Sequence, residues 1–179
     1  MIKRNTSVLM VIDIQSKLAP SIDNAEGVIA NTTKLLNVAD ALDVPILATE
    51  QYPKGLGHTV DALIPLIPEG ATIEKEHFCS TSDPTCAARL HDLDRRQVIL
   101  TGMEAHICVL QTALDLKARD YEPVIVADAV SSRAPSNYQA ALDRARHEGI
   151  DIATTEMVVY EWLEKANTDA FRKVLPLIK

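Results

Sequence analysis

The feature that most constrains the fold of this chain is a nearly continuous apolar run close to its start, Ser7 to Ile12, with sequence SVLMVI. A strand that is apolar at almost every position must be covered on both faces, as central strands of parallel sheets are. Similar short runs recur along the chain, and segments with helical spacing separate them. The alternation predicts an α/β fold with three layers: a doubly wound, six-stranded parallel sheet flanked by helices.

The boundaries of the remaining elements follow from hydrophobic periodicity and from capping residues. Further strands are predicted at 45–49, 71–74, 97–101, 123–127 and 151–153. Helices are predicted at 24–43, 59–67, 84–93, 106–119, 136–148 and 156–179. Asp23 or Asn24 is the expected N-cap of the first helix, and Asp83 caps the third.

Length, charge and cysteine content restrict the class of protein. The 179 residues suit one domain spanning 1–179, and 47% of them are hydrophobic. The net charge is -7 without a cluster of Lys and Arg, which argues against binding to nucleic acid. No stretch is long and apolar enough for a membrane span. Three cysteines and no secretory signal predict a cytoplasmic protein with reduced thiols.

Three residues at strand ends are the candidates for chemistry, because ligands of such sheets bind outside the carboxyl ends of the strands. Asp13 follows the first strand, Lys75 ends the third, and Cys108 lies just after the turn that follows the fourth. Each has an ordinary alternative. The position of Asp13 is equally typical of a residue that caps a loop. A lysine at the position of Lys75 is ordinarily a surface residue, and a cysteine in an apolar helix, such as Cys108, is ordinarily a small core residue. Together they offer a base, a cation and a nucleophile.

The position of Cys108 near a helix N-terminus predicts a stabilised thiolate, because the helix dipole and exposed N–H groups favour negative charge there. The Asp13 carboxylate is the expected proton acceptor. Lys75 would compensate the negative charge that forms when the two meet in a crevice of the sheet edge.

Four segments make the chain resemble the isochorismatase-like cysteine hydrolases. They are VIDIQ at 11–15, KEHF at 75–78, GMEAHICVLQTALDL at 102–116 and VIVADAVSSR at 124–133. The resemblance implies a catalytic triad of Asp13, Lys75 and Cys108. It also implies a cis peptide bond between Met103 and Glu104, with the N–H groups of Glu104 and Cys108 binding an oxyanion.

The loop after the second strand, TEQYPKGLGH at 49–58, lacks the Asp-x-His metal motif of the nicotinamidases in this superfamily. The chain is therefore expected to use no metal and no other cofactor, and the loop resembles that of the isochorismatase domain-containing proteins. Gln15, Tyr52 and Phe78 are the expected pocket residues. His106 is expected to cap its turn or to face a subunit boundary.

These residues predict a cysteine hydrolase that cleaves an amide, ureido or related C–N bond of a small molecule through a covalent thioester. One alternative is isochorismatase-type acid–base hydrolysis of an enol ether without a covalent intermediate. Another is a non-catalytic ligand-binding scaffold on the same fold. The apolar residues of the tail at 156–179 predict a homo-oligomer.

Overall fold

The computed structural model describes residues 1–178 and contains a six-stranded, fully parallel sheet. Its strands are β1 (Ser7–Ile12), β2 (Ile46–Gln51), β3 (Thr72–Lys75), β4 (Gln97–Met103), β5 (Glu122–Ser131) and β6 (Asp151–Ala153). They lie in the order β3-β2-β1-β4-β5-β6. The predicted α/β architecture is thereby confirmed.

Helices cover both faces of the sheet. They are α1 (Ala25–Ala41), α2 (Pro53–Leu56), α3 (Pro84–Asp92), α4 (Leu110–Ala118), α5 (Pro135–His147), α6 (Thr155–Leu163) and α7 (Asp169–Val174). Alternate β1 side chains enter opposite layers, since successive strand residues point to opposite faces. Leu9 and Val11 pack with α1, α6 and α7, whereas Val8 and Met10 pack with α3, α4 and α5.

The prediction of helices was wrong in three places, each for a local reason. The segment 59–67 holds only a 3-10 turn at Ile64–Leu66, because Pro65 falls inside it and cannot donate a main-chain hydrogen bond. The predicted helix at 106–119 begins instead with a π-helical turn, Ala105–Val109. The predicted helix at 156–179 is divided after Leu163 by left-handed backbone at Glu164 and Asn167.

The tail also corrects the argument for self-association. Val158, Val159, Trp162 and Leu163 are buried in the core of their own chain, and the Trp162 indole N–H donates to Ser7 Oγ at 3.0 Å. Their apolar surface is therefore already covered by α1 and the sheet. Among the described residues, no helix is both long and apolar enough to cross a bilayer.

The strand order places a topological switch beside β1. The chain leaves β1 toward β2 on one side and returns to β4 on the other. The loops that follow β1 and β4 therefore diverge at their carboxyl ends and leave a crevice between them, which is where ligands of such sheets bind. Asp13 and the turn that carries Cys108 border this crevice.

Candidate active site

A buried ion pair forms the base of the crevice. Lys75 Nζ lies 2.7 Å from Asp13 Oδ2, and both side chains are completely buried. The other carboxylate oxygen, Oδ1, accepts a hydrogen bond of 2.7 Å from Thr49 Oγ1. Asp13 adopts a left-handed backbone conformation, with φ of 53°, immediately after β1. Aspartate is among the few residues that tolerate this region.

Lys75 is held by more than its carboxylate partner. Its ammonium also donates to Gln51 Oε1 at 2.8 Å and to the main-chain oxygen of His77 at 3.2 Å. A buried cation needs such a shell, because removal from water is costly unless the charge is paired and each N–H has an acceptor. The shell fixes the ammonium beside Asp13.

Cys108 reaches the same place from β4 through a tight turn. Gly102 lies in register with Ile12 of β1, has φ of 133°, and approaches the Ile12 main chain so closely that a Cβ would overlap it. The next peptide bond, Met103–Glu104, is cis. The π-helical turn that follows carries Cys108. Only 6% of the surface of this residue is exposed.

The resting state of Cys108 differs from the sequence expectation of a stabilised thiolate. Burial raises the pKa of the Cys108 thiol well above its usual range. The negative charge of Asp13 raises it further, and Lys75 offsets only part of the shift. In the free protein Cys108 is therefore a neutral thiol next to Asp13.

Asp13 and Cys108 line one cavity of about 230 Å³, and its walls are mostly apolar. Phe78 lines it as predicted, and the walls are completed by Leu18, Leu56 and Ile107. This volume fits a small molecule, since pockets for drug-sized ligands begin at about 300 Å³. Phe78 is 55% exposed and stands at the mouth.

Two predicted pocket residues lie outside this cavity. Tyr52 precedes α2, its ring lies over Gly55, and it borders a separate groove with Glu74 and Glu76. Gln15 is fully buried, and main-chain groups of Gln51 and Gly57 occupy both ends of its amide. Gln15 therefore ties two loops together instead of facing a substrate.

Sequence reasoning missed Arg133 as a cavity residue, although it ends one of the segments on which the resemblance rests. Its guanidinium Nε lies 3.1 Å from Glu104 Oε1, and its main-chain N–H donates to Glu104 Oε2 at 2.9 Å. Glu104 is 5% exposed, whereas the Arg133 side chain is 60% exposed. The pair joins the turn before Cys108 to the end of β5.

The remaining histidines and cysteines lie apart from the cavity. His106 Nδ1 is 2.9 Å from Ser132 Oγ, so its ring links the π-helical turn to the residues after β5. Burial raises the pKa of Cys86 to about 12, and Cys79 is half-buried. Within residues 1–178, no three His, Cys, Asp or Glu side chains are grouped in a way that would hold a metal ion.

Comparison with known proteins gives the family of the chain. The model of the Isochorismatase domain family matches residues 7–157. The chain belongs to the isochorismatase family. Isochorismatase family protein 1B of Dictyostelium discoideum is 36% identical over 178 residues, which cover 97% of this chain and 86% of the relative.

Solved structures share the fold over almost the whole chain. The MAR1 ribonuclease from Caenorhabditis elegans superposes with a TM-score of 0.93 at 36% identity, covering 99% of this chain and 91% of that one. The YcaC gene product of Escherichia coli, an octameric hydrolase of unknown specificity, has a TM-score of 0.91 at 19% identity. The superposition with YcaC covers 98% of this chain and 88% of that chain.

Proposed function

We propose that this member of the isochorismatase family is a cysteine hydrolase that cleaves a small-molecule amide, ureide or related C–N bond. The observation that carries the proposal is that the Asp13 carboxylate, paired with buried Lys75, lines the same small cavity as the Cys108 thiol. A thiol, a carboxylate that can accept its proton and a fixed cation beside that carboxylate together suit acyl transfer at a buried site.

The first half of the reaction forms a thioester. Asp13 accepts the Cys108 proton as the sulfur attacks the substrate carbonyl, because the thiol is neutral before substrate binds. The N–H groups of Glu104 and Cys108 stabilise the oxyanion. Asp13 then transfers its proton to the departing amine, and the C–N bond breaks.

The second half regenerates the enzyme. Water gives a proton to Asp13 and attacks the thioester, and the proton returns to Cys108 as the C–S bond breaks. Lys75 stays positively charged throughout and compensates the carboxylate whenever Asp13 is ionised. Its buried contacts keep Asp13 in one place during both proton transfers.

Arg133 supports a narrower class of substrate. Arg133 lines the cavity, and Glu104 binds its Nε, so within residues 1–178 the terminal guanidinium nitrogens are left for an anion. A guanidinium matches a carboxylate in two parallel hydrogen bonds. We therefore propose a small substrate with an apolar body, a carboxylate at Arg133 and an amide or ureido carbonyl at Cys108.

The test is a screen of small amides, ureides and carbamoyl compounds, each in acidic and neutral forms. Cys108→Ala should abolish turnover with the fold intact, and the matched variant Cys79→Ala should keep it. Full activity in Cys108→Ala would contradict the covalent route. Enol-ether hydrolysis that survives alkylation of Cys108 would favour the acid–base alternative, and binding without turnover would favour a scaffold.

Two further measurements test whether this chain shares properties of the similar solved structures. Single-stranded RNA is included because of the C. elegans ribonuclease; the net charge of -7 predicts no cleavage here. Sedimentation measures self-association, which we propose because Met157 and Tyr160 of α6 each remain 48% exposed.

A further inference from the structure

Glu50 is a buried carboxylate that the proposed reaction does not use. Its Oε1 accepts hydrogen bonds of 2.7 Å from both the main-chain N–H and the hydroxyl of Thr59. Its Oε2 lies 2.8 Å from His58 Nδ1. All of these donors belong to two adjacent residues, so Glu50 holds one short segment of the loop that follows α2.

The same segment is attached to the loop after β1. The oxygen of His58 accepts from Ser16 N at 2.9 Å, and the oxygen of Leu56 accepts from Lys17 N at 3.0 Å. Leu56 and its neighbour across this junction, Leu18, are both cavity walls. The attachment of His58 and Thr59 to Glu50 therefore determines where two walls of the cavity lie.

Strand β2 connects this attachment rigidly to the reacting groups. Thr49 and Gln51, on either side of Glu50, bind Asp13 and Lys75 respectively. Successive residues of a strand point to opposite faces, so Glu50 faces away from the ion pair and toward the loop. The distance between the loop and the reacting groups is thus fixed through Glu50.

The protonation of His58 follows the pH of the solvent, because 72% of its side chain is exposed. The hydrogen bond and the charge of Glu50 raise the pKa of His58, and Glu74 adds to the effect. Burial tends to raise the pKa of Glu50, but hydrogen bonds from Thr59 and His58 outweigh it and lower that pKa. From the remaining side of the segment, Lys17 lies beside Gly57.

We propose that Glu50 and His58 are positioning residues that hold segment 56–60, whose first residue Leu56 lines the cavity, and that the hold is tighter when His58 is protonated. Tight holding narrows the entrance to Cys108 and keeps Leu56 in the wall. The consequence for substrate binding rests on the function proposed above, whereas the movement of the segment does not.

The direction of the pH effect follows from the raised pKa of His58. Its contribution to holding is complete below the ordinary histidine pKa of about 6.5 and is lost as the pH rises through the raised value. The histidine is exposed, so the effect is modest. Exposed ion pairs correspond to about a two- to fivefold change in an equilibrium.

Amide hydrogen exchange tests the holding without any substrate. We expect the Thr59 amide, corrected for intrinsic exchange, to lose about two- to fivefold protection between pH 5.5 and 8.5. His58→Gln should show weak protection at every pH, and His91→Gln, which changes an exposed histidine far from the cavity, should match the wild type. Equal profiles in wild type and His58→Gln would overturn the proposal.

Alkylation of Cys108 by iodoacetamide tests the effect on the cavity. The alkylation rate of the His58→Gln variant is divided by that of the wild type at each pH. This ratio cancels the ionisation of the Cys108 thiol, which changes the rate of both proteins alike. We expect a ratio of about two to five at pH 6 that falls toward one at pH 8.5. A ratio of one throughout contradicts the proposal even if exchange changes. If both readouts behave as expected and no hydrolysis is found, the holding role stands and the proposed function fails.

Discussion

Replacing Lys75 with Met tests the buried ion pair. The substitution keeps an unbranched chain of similar length and removes the charge. It leaves Asp13 with Thr49 as its remaining side-chain partner, and it leaves Gln51 Oε1 without the ammonium donor. Both ion-pair side chains are fully buried, so solvent compensates the lost charge only weakly.

The magnitude follows from this burial. Removing one partner of a buried, hydrogen-bonded pair costs about 3–5 kcal/mol, because the other charge stays uncompensated. Domains unfold with about 5–15 kcal/mol, so Lys75→Met should remain folded but much weakened. The corresponding drop in Tm is about 6–20 °C.

Urea unfolding followed by the fluorescence of Trp162 measures this change. Trp162 is the single tryptophan and is 1% exposed, so its signal reports the loss of the core. Lys173→Met is the matched control, since that lysine is exposed, and it should cost less than about 0.5 kcal/mol. The double variant Asp13→Asn with Lys75→Met should be more stable than Lys75→Met alone, with a coupling of about 2–3 kcal/mol.

A loss of under about 1 kcal/mol in Lys75→Met would refute this reasoning, because it would mean that the pair is solvated or loosely held. Additive losses in the double variant would do the same, since independent side chains do not couple.

Three other predictions concern the turn, the thiol and the mouth. Gly102→Ala should lower the free energy of unfolding in urea by more than about 2 kcal/mol, because its Cβ would overlap the Ile12 main chain. Gly70→Ala is the control: Gly70 also has positive φ but has open space around it, so the loss should be about 1 kcal/mol. Equal losses in the two variants would contradict the close approach of Gly102 to Ile12. Because burial raises the pKa of Cys108, the rate of its alkylation, measured by mass spectrometry, should rise about tenfold per pH unit from pH 6 to 8. A plateau in that range would contradict the raised pKa. Arg133→Gln should raise KM about tenfold for acidic substrates with kcat within about twofold, and an equal rise for neutral ones would argue against a carboxylate site.

Much of the fold is readable from sequence because parallel strands buried on both faces must be apolar throughout. The run at 7–12 and the similar run at 97–101 therefore gave β1 and most of β4. The ends of β4 and β5 were underestimated, since polar and small residues such as Gly102 and Ser131 continue the strands into the site. Periodicity carries no signal for such residues.

The strand-end positions favoured a contact between Asp13 and Lys75, because the topology brings the ends of β1 and β3 to one edge of the sheet. Other contacts between side chains distant in sequence were not predictable. Glu104 and Arg133 pair across 29 positions, and Gln15 turned out to bind main chain. A polar residue at or just beyond a strand end was the available signal for Gln51, which ends β2, and for Arg133, which follows β5. The neutral state of Cys108 depends on burial, which spacing does not show.

Trapping an acyl-enzyme tests the central claim most directly. The protein is mixed with a small acidic amide or an activated ester, quenched in acid and mapped by peptide mass spectrometry. A thioester on Cys108, absent in Cys108→Ala and retained in Cys79→Ala, is the result we expect. Hydrolysis of substrate with Cys108 unmodified at every quench time, and unchanged in Cys108→Ala, would contradict covalent catalysis by this sulfur.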